Sequence, residues 1–112
     1  MFKSWLSYHH KLTQRINFAL GELKDENDVY LFGAHAYSQF LLKFGIDGER
    51  IKCVLDNDPE KQNKRLYGTK YMVRSPSETQ NANAPVIILH AGVHSDEIAK
   101  QLKLINPNVK II

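Results

Sequence analysis

Several groups of residues in this sequence have the types and spacing that chemistry needs. The first is the run Gly33-Ala34-His35-Ala36-Tyr37-Ser38, which follows an apolar stretch and precedes a helical pattern. A glycine at a strand-to-helix turn lets backbone approach a phosphate at the helix N-terminus, where unpaired N–H groups and the helix dipole favour an anion. The dinucleotide-binding fingerprint asks for three glycines. Here Gly33 keeps the first place, while alanine and serine fill the other two. The loop alone therefore leaves three readings open: a phosphate-bearing ligand, another ligand, or a purely structural turn.

The second group is Asp56 with its neighbour Asn57, about 20 residues beyond the glycine, where an acid can accept from ribose hydroxyls. The same carboxylate could instead close its own turn by accepting a backbone N–H two residues on. The third is the histidine set His9, His10, His35, His90 and His94. His90 and His94, with Gly92 between them, flank the point opposite His35, so these imidazoles could meet in one cleft. No carboxylates or cysteines stand at ligand spacing, so a metal site is not expected. An imidazole in the cleft could act as a general acid or base. Solvent-facing loop histidines are the simpler reading, and no catalytic residue is assigned. Nucleophile elbows and Walker-type loops are absent from the sequence. Finally, Lys61, Lys64, Arg65, Lys70 and Arg74 are opposed over their stretch only by Glu60. They read either as a solvated basic loop or as a cationic rim, led by Lys61, beside a diphosphate-like anion.

The elements that must position these groups follow from periodicity. Residues 3–24 carry Trp5, His9, Leu12, Ile16, Ala19 and Leu23 at steps of four and three, the stripe of a long amphipathic helix. Its first half, with Trp5 and Tyr8 as anchors, would pack either on a partner or back on its own sheet. Val29–Phe32 is continuously apolar, as a parallel strand covered on both faces must be. A helix then carries Phe40, Leu41, Leu42 and Phe44 and stops at Gly45. Residues 51–55 form the next strand, and 71–73 a short one. Ser75, Pro76 and Glu78 read as a helix start. Residues 86–89 give another buried strand, and a helix follows from Ser95 with Asp96 and Glu97 in its first turn. The final strand is expected at 109–112.

Strands alternating with helices imply a parallel sheet with right-handed crossovers. The expected fold is α/β: a small Rossmann-like three-layer domain with a mostly parallel sheet of about five strands, preceded by one long helix. The expected strand order is third, second, first, fourth, fifth. That order places the switch point beside Gly33 and His90. Organisation is expected as a helix over 1–26 and the α/β unit over 27–112, together one domain.

The chain has 112 residues, 43% hydrophobic and 24% charged, which are ordinary globular values. Its formal charge of +3 is too small to argue for nucleic acid. No apolar run approaches the roughly 20 residues that cross a bilayer. Without a secretory pattern at the amino terminus, a cytoplasmic location is expected. The single Cys53 sits in an apolar strand and reads as a small buried hydrophobe.

The segment 31–78 also carries a family likeness. Val54-x-Asp56-x-Asp58-Pro59-x-Lys61-Gln62, then Leu66-x-Gly68-Thr69, then Val73-x-Ser75-Pro76-x-Glu78 resembles the carboxy-terminal domain of bacterial sugar C-methyltransferases. With its flanking strands the likeness spans roughly residues 12–112. A related acid and D-x-x-P-x-K pattern occurs in the nucleotide-sugar-binding domains of bacterial sugar acyltransferases. Where the methyltransferase loop carries lysine, glycine and asparagine, this chain has Tyr37, Ser38 and Gln39; where that family favours a tryptophan-asparagine pair, it has Gly92 and Val93.

The resemblance implies a nucleotide-sugar-like ligand held by Gly33, Ala34, His35, Ala36, Tyr37, Ser38, Asp56, Asn57, Lys61, His90 and Gly92. It also implies that S-adenosylmethionine is bound by another domain of a parent methyltransferase, not by these residues. The zinc module and cofactor domain of those enzymes have no counterpart in this sequence, so methyl transfer by the chain alone is not expected. The long helix would join either a second copy or a parent methyltransferase domain. The alternative is a ligand-free interaction domain that uses this helix.

Overall fold

The computed structural model describes residues 2–24, 27–44 and 48–112, with the backbone alone described at 2–6, 9, 36, 37, 44 and 48. The elements run α1 (Phe2–Gly21), β1 (Val29–Phe32), α2 (Ala36–Phe44), β2 (Ile51–Leu55), β3 (Val73–Arg74), β4 (Val86–Leu89), α3 (Ser95–Ile105) and β5 (Lys110–Ile111). The strands form one sheet in the order β3-β2-β1-β4-β5. Every strand pair in it is parallel. The expected α/β fold and strand order are both observed. Parallel neighbours need crossovers, and these place helices on both faces.

Side-chain alternation builds two apolar layers. Val29 and Leu31 of β1, with Val86 and Ile88 of β4, pack with Leu12, Ile16 and Leu20 of α1 and Leu41 of α2. Tyr30, Phe32, Ile87 and Leu89 face the opposite way and meet Leu102 of α3. Strand β2 breaks the period of two: Ile51 and Val54 share the first layer, whereas Cys53 and Leu55 belong to the second. The reason is a register shift. Val29 pairs with Ile51 but Tyr30 pairs with Cys53, so Lys52 is an extra residue in its strand. It is exposed, and its ammonium lies 3.9 Å from the Asp28 carboxylate.

The second half of α1 folds back onto the sheet, as the buried Leu12, Ile16 and Leu20 show. The helix ends at Gly21, three residues before the expected position, although Leu23 still packs against the core. Tyr8 and Phe18 are exposed. The side chains of Trp5 and His9, and the helix stop at Gly45, lie outside the described residues.

Two other boundaries differ from expectation for local reasons. The strand expected at 71–73 begins at Val73, because 65–72 doubles back as a hairpin. Its Arg65 and Met72 form an antiparallel bridge, and the Leu66 N–H donates to the Tyr71 carbonyl at 2.8 Å. The helix start at Ser75 yields only a 3₁₀ turn, Pro76–Thr79, capped by Ser75 Oγ accepting from the Ser77 N–H. Asn106 Nδ2 donates to the Thr79 carbonyl at 2.8 Å, occupying an acceptor that a continuing helix would use.

Candidate functional site

The carboxyl ends of β1 and β4 diverge where the strand order reverses, leaving a cleft of about 370 Å³. Gly33, His35, Asp56, Asn57, His90 and His94 line it, with Phe32, Ala91 and Ile98 supplying apolar surface. The loop after β1, the acid after β2 and the two later histidines thus converge, as their positions in a parallel sheet require.

Asp56 fastens this edge. Its Oδ2 accepts from the Ala34 N–H at 2.8 Å and its Oδ1 from the Asp58 N–H at 2.9 Å. One carboxylate therefore ties the glycine loop to the end of β2 and closes its own turn. The turn-closing role open to it in the sequence is realised, and a second role across strands is added. The backbone reinforces the tie, since the Gly33 N–H donates to the Leu55 carbonyl at 2.7 Å.

His35 sits over the glycine. Gly33 has φ +110°, and a Cβ there would meet the imidazole below van der Waals distance at Nε2 and at 2.8 Å from Cδ2. Nδ1 of His35 accepts from the Ser38 N–H at 3.4 Å, capping the first turn of α2. An Nδ1 acceptor places the proton of the neutral ring on Nε2. Burial holds the His35 pKa below its usual 6.5, and Lys61 lowers it further, while Asp56 opposes the shift. His90 is also lowered, by burial and then by the charge of Arg15 on α1. Burial and a nearby cation thus both disfavour the imidazolium form of each ring.

Several loop donors expected to face a phosphate are already engaged. The N–H groups of Gly33, Ala34 and Ser38 point to Leu55, Asp56 and His35. Ser38 and Ala34 are buried, and the side chains of Ala36 and Tyr37 lie outside the described residues. Lys61 is exposed and is not part of the lining, although its charge reaches His35. Gly92 has φ +62° in the turn Gly92–His94 and is also not part of the lining; its neighbours Ala91 and His94 are.

One feature of this edge has no signal in the sequence. Asn57 Nδ2 donates to Gln101 Oε1 at 2.9 Å, and Gln101 Nε2 returns a bond to Asn57 Oδ1 at 2.7 Å. This reciprocal amide pair joins the loop after β2 to α3 beside the cleft. The residues are 44 apart, beyond any local pattern. Among the described residues, no cluster of three or more histidine, cysteine or carboxylate side chains could hold a metal ion. No helix among them is long and apolar enough to cross a membrane.

No curated protein and no solved structure matches this chain. The model of one family does, over residues 1–112. The chain belongs to the C-methyltransferase C-terminal domain family.

Proposed function

We propose that this domain is the non-catalytic, ligand-holding module of a bacterial, cytoplasmic sugar C-methyltransferase system, and that its cleft takes the charged part of a nucleotide sugar. The observation that carries the reading is the cleft's electrostatic make-up. Asp56 is the one carboxylate in its described lining, and both its oxygens already accept backbone N–H groups. Around it stand His35, His90 and His94, with the charge of Lys61 felt at His35 and that of Arg15 at His90. A cleft with an engaged acid and two nearby cations favours an anion. With the Gly33, Ala34 and Ser38 N–H groups engaged and the Asn57 amide paired with Gln101, the side chains that would meet a phosphate are the imidazoles and Lys61. Adenosylmethionine would bind elsewhere in such a system.

Thermal unfolding with UDP- and dTDP-sugars tests this. A ligand at 100 times its Kd adds about 2.7 kcal/mol, raising Tm on the order of 10 °C. His90→Ala should remove most of that rise. The absence of any rise with nucleotide sugars at millimolar concentration would end the proposal.

The alternative, an interaction domain acting through α1, is favoured by Phe18, which is 72% exposed on the face opposite the buried Leu12 and Ile16. Leu12 is a core residue, so Phe18→Glu is the informative substitution. It should dissociate an oligomer while leaving the sheet folded; a monomeric wild-type chain by light scattering would remove this reading.

A further inference from the structure

A second concavity of about 450 Å³ lies between α2 and the hairpin at 65–72. Gln39, Leu42 and Lys43 recur at helical spacing and form one wall; Tyr67, Lys70 and Tyr71 form the other. None of these six lines the cleft at the sheet edge, so the two sites are separate.

The hairpin wall is held rigidly. The Thr69 N–H donates to the Leu66 carbonyl at 3.0 Å, and Gly68 has φ +75° at the third position of that four-residue turn, as a type II turn requires. Thr69 Oγ1 donates to the Leu66 carbonyl at 2.8 Å and accepts from the Tyr71 N–H at 3.1 Å. Tyr67 therefore occupies a fixed position in the turn while remaining 87% exposed. An aromatic ring carried into solvent on a constrained turn is a stacking platform that needs little further ordering when a ligand arrives.

The cations complete the site. Lys70 Nζ lies 3.0 Å from Glu49 and 5.5 Å from the centre of the Tyr71 ring. Both members of the ion pair are exposed, so Lys70 gives up little by turning toward a phosphate dianion. Lys43 stands across the groove in the last turn of α2. Leu42 and Tyr71, both partly buried against the core, provide an apolar floor, and Gln39 supplies an amide. The volume falls within the range of small-molecule sites, roughly 300–1,000 Å³.

We propose that this groove binds a ring-bearing anion of the nucleoside phosphate class. The base stacks on Tyr67, the phosphate lies between Lys43 and Lys70, and Gln39 bonds to the base edge or the sugar. Neither the sheet-edge cleft nor its ligand enters this inference.

The test is amide chemical-shift mapping of the ¹⁵N-labelled full chain, titrated separately with UMP, AMP, uridine and inorganic phosphate. Either nucleotide should shift the amides of Lys43, Tyr67 and Gly68 saturably. Tyr67→Ala should weaken the nucleotide about tenfold, the loss of one stacking contact. Lys70→Gln should reduce nucleotide affinity toward that of uridine. Both substitutions are at exposed positions, and an unchanged Tm will show that each variant is folded. Nucleotide shifts confined to Gly33, Asn57 and His94, an equal response to phosphate alone, or no groove shifts at millimolar nucleotide would each overturn the proposal.

Discussion

Replacing Gly33 with alanine tests the architecture of the sheet edge most directly. Two costs should combine. An L-residue at φ +110° loses roughly 1–2 kcal/mol relative to glycine. The added methyl would also overlap the His35 ring, forcing it off the α2 N-terminus and forfeiting a cap worth roughly 0.5–2 kcal/mol. Gly33→Ala should thus destabilise by about 2–4 kcal/mol, read as a lower urea midpoint at unchanged m-value. A double-mutant cycle separates the two costs. In a His35→Ala background the overlap is gone, so Gly33→Ala should cost about 1 kcal/mol less than in the wild type. Additivity within about 0.5 kcal/mol would refute the idea that this glycine is required by the imidazole. A neutral Gly33→Ala would refute the backbone argument as well.

Asp56→Ala removes the acceptor for two backbone N–H groups and should cost about 2–4 kcal/mol; faster hydrogen exchange at Ala34 and Asp58 would locate the loss. His35 and His90 both have lowered pKa values, so the unfolded chain binds protons before the folded one. Their contribution is intact above about pH 6.5 and is lost as pH falls through the lower folded-state values. His90→Gln should flatten the urea midpoint between pH 7 and pH 5. Burial pushes the Cys53 thiol up to about 11, so a thiol reagent at neutral pH should leave it unmodified until denaturant is added. Asn106→Ala should cost about 1–3 kcal/mol by removing a buried amide that donates to the Thr79 carbonyl and accepts from the Asn108 N–H, measurable as a fall in Tm.

Much of the fold was legible because its signals are local and repeated. Val29–Phe32 and Val86–Leu89 are apolar throughout, and every one of their residues is buried. The parallel pairing of β1 with β2 and of β4 with β5 then follows from the helices between them, α2 and α3. Lys52 is a different case. A single polar residue in an apolar strand looks like ordinary alternation, and only the pairing with β1 shows it to be supernumerary. The site was legible as a location, since Gly33, Asp56 and His90 do meet at one edge. What the acid does there depended on which N–H lay nearest, a three-dimensional fact that spacing cannot carry. The Asn57–Gln101 pair was hidden for the same reason, as was the hydrogen-bonded turn that carries the exposed Tyr67.

The double engagement of Asp56 has a bearing on how such units are deciphered generally. An acid closing the second strand of a βαβ unit is commonly taken as the signature of a ribose. Where the loop opposite has lost its later glycines, the same acid can serve as a staple for the chain itself, and its retention then reports on assembly rather than on cargo. Transplanting a glycine-rich loop into this scaffold would consequently have to free that carboxylate before any sugar hydroxyl could claim it.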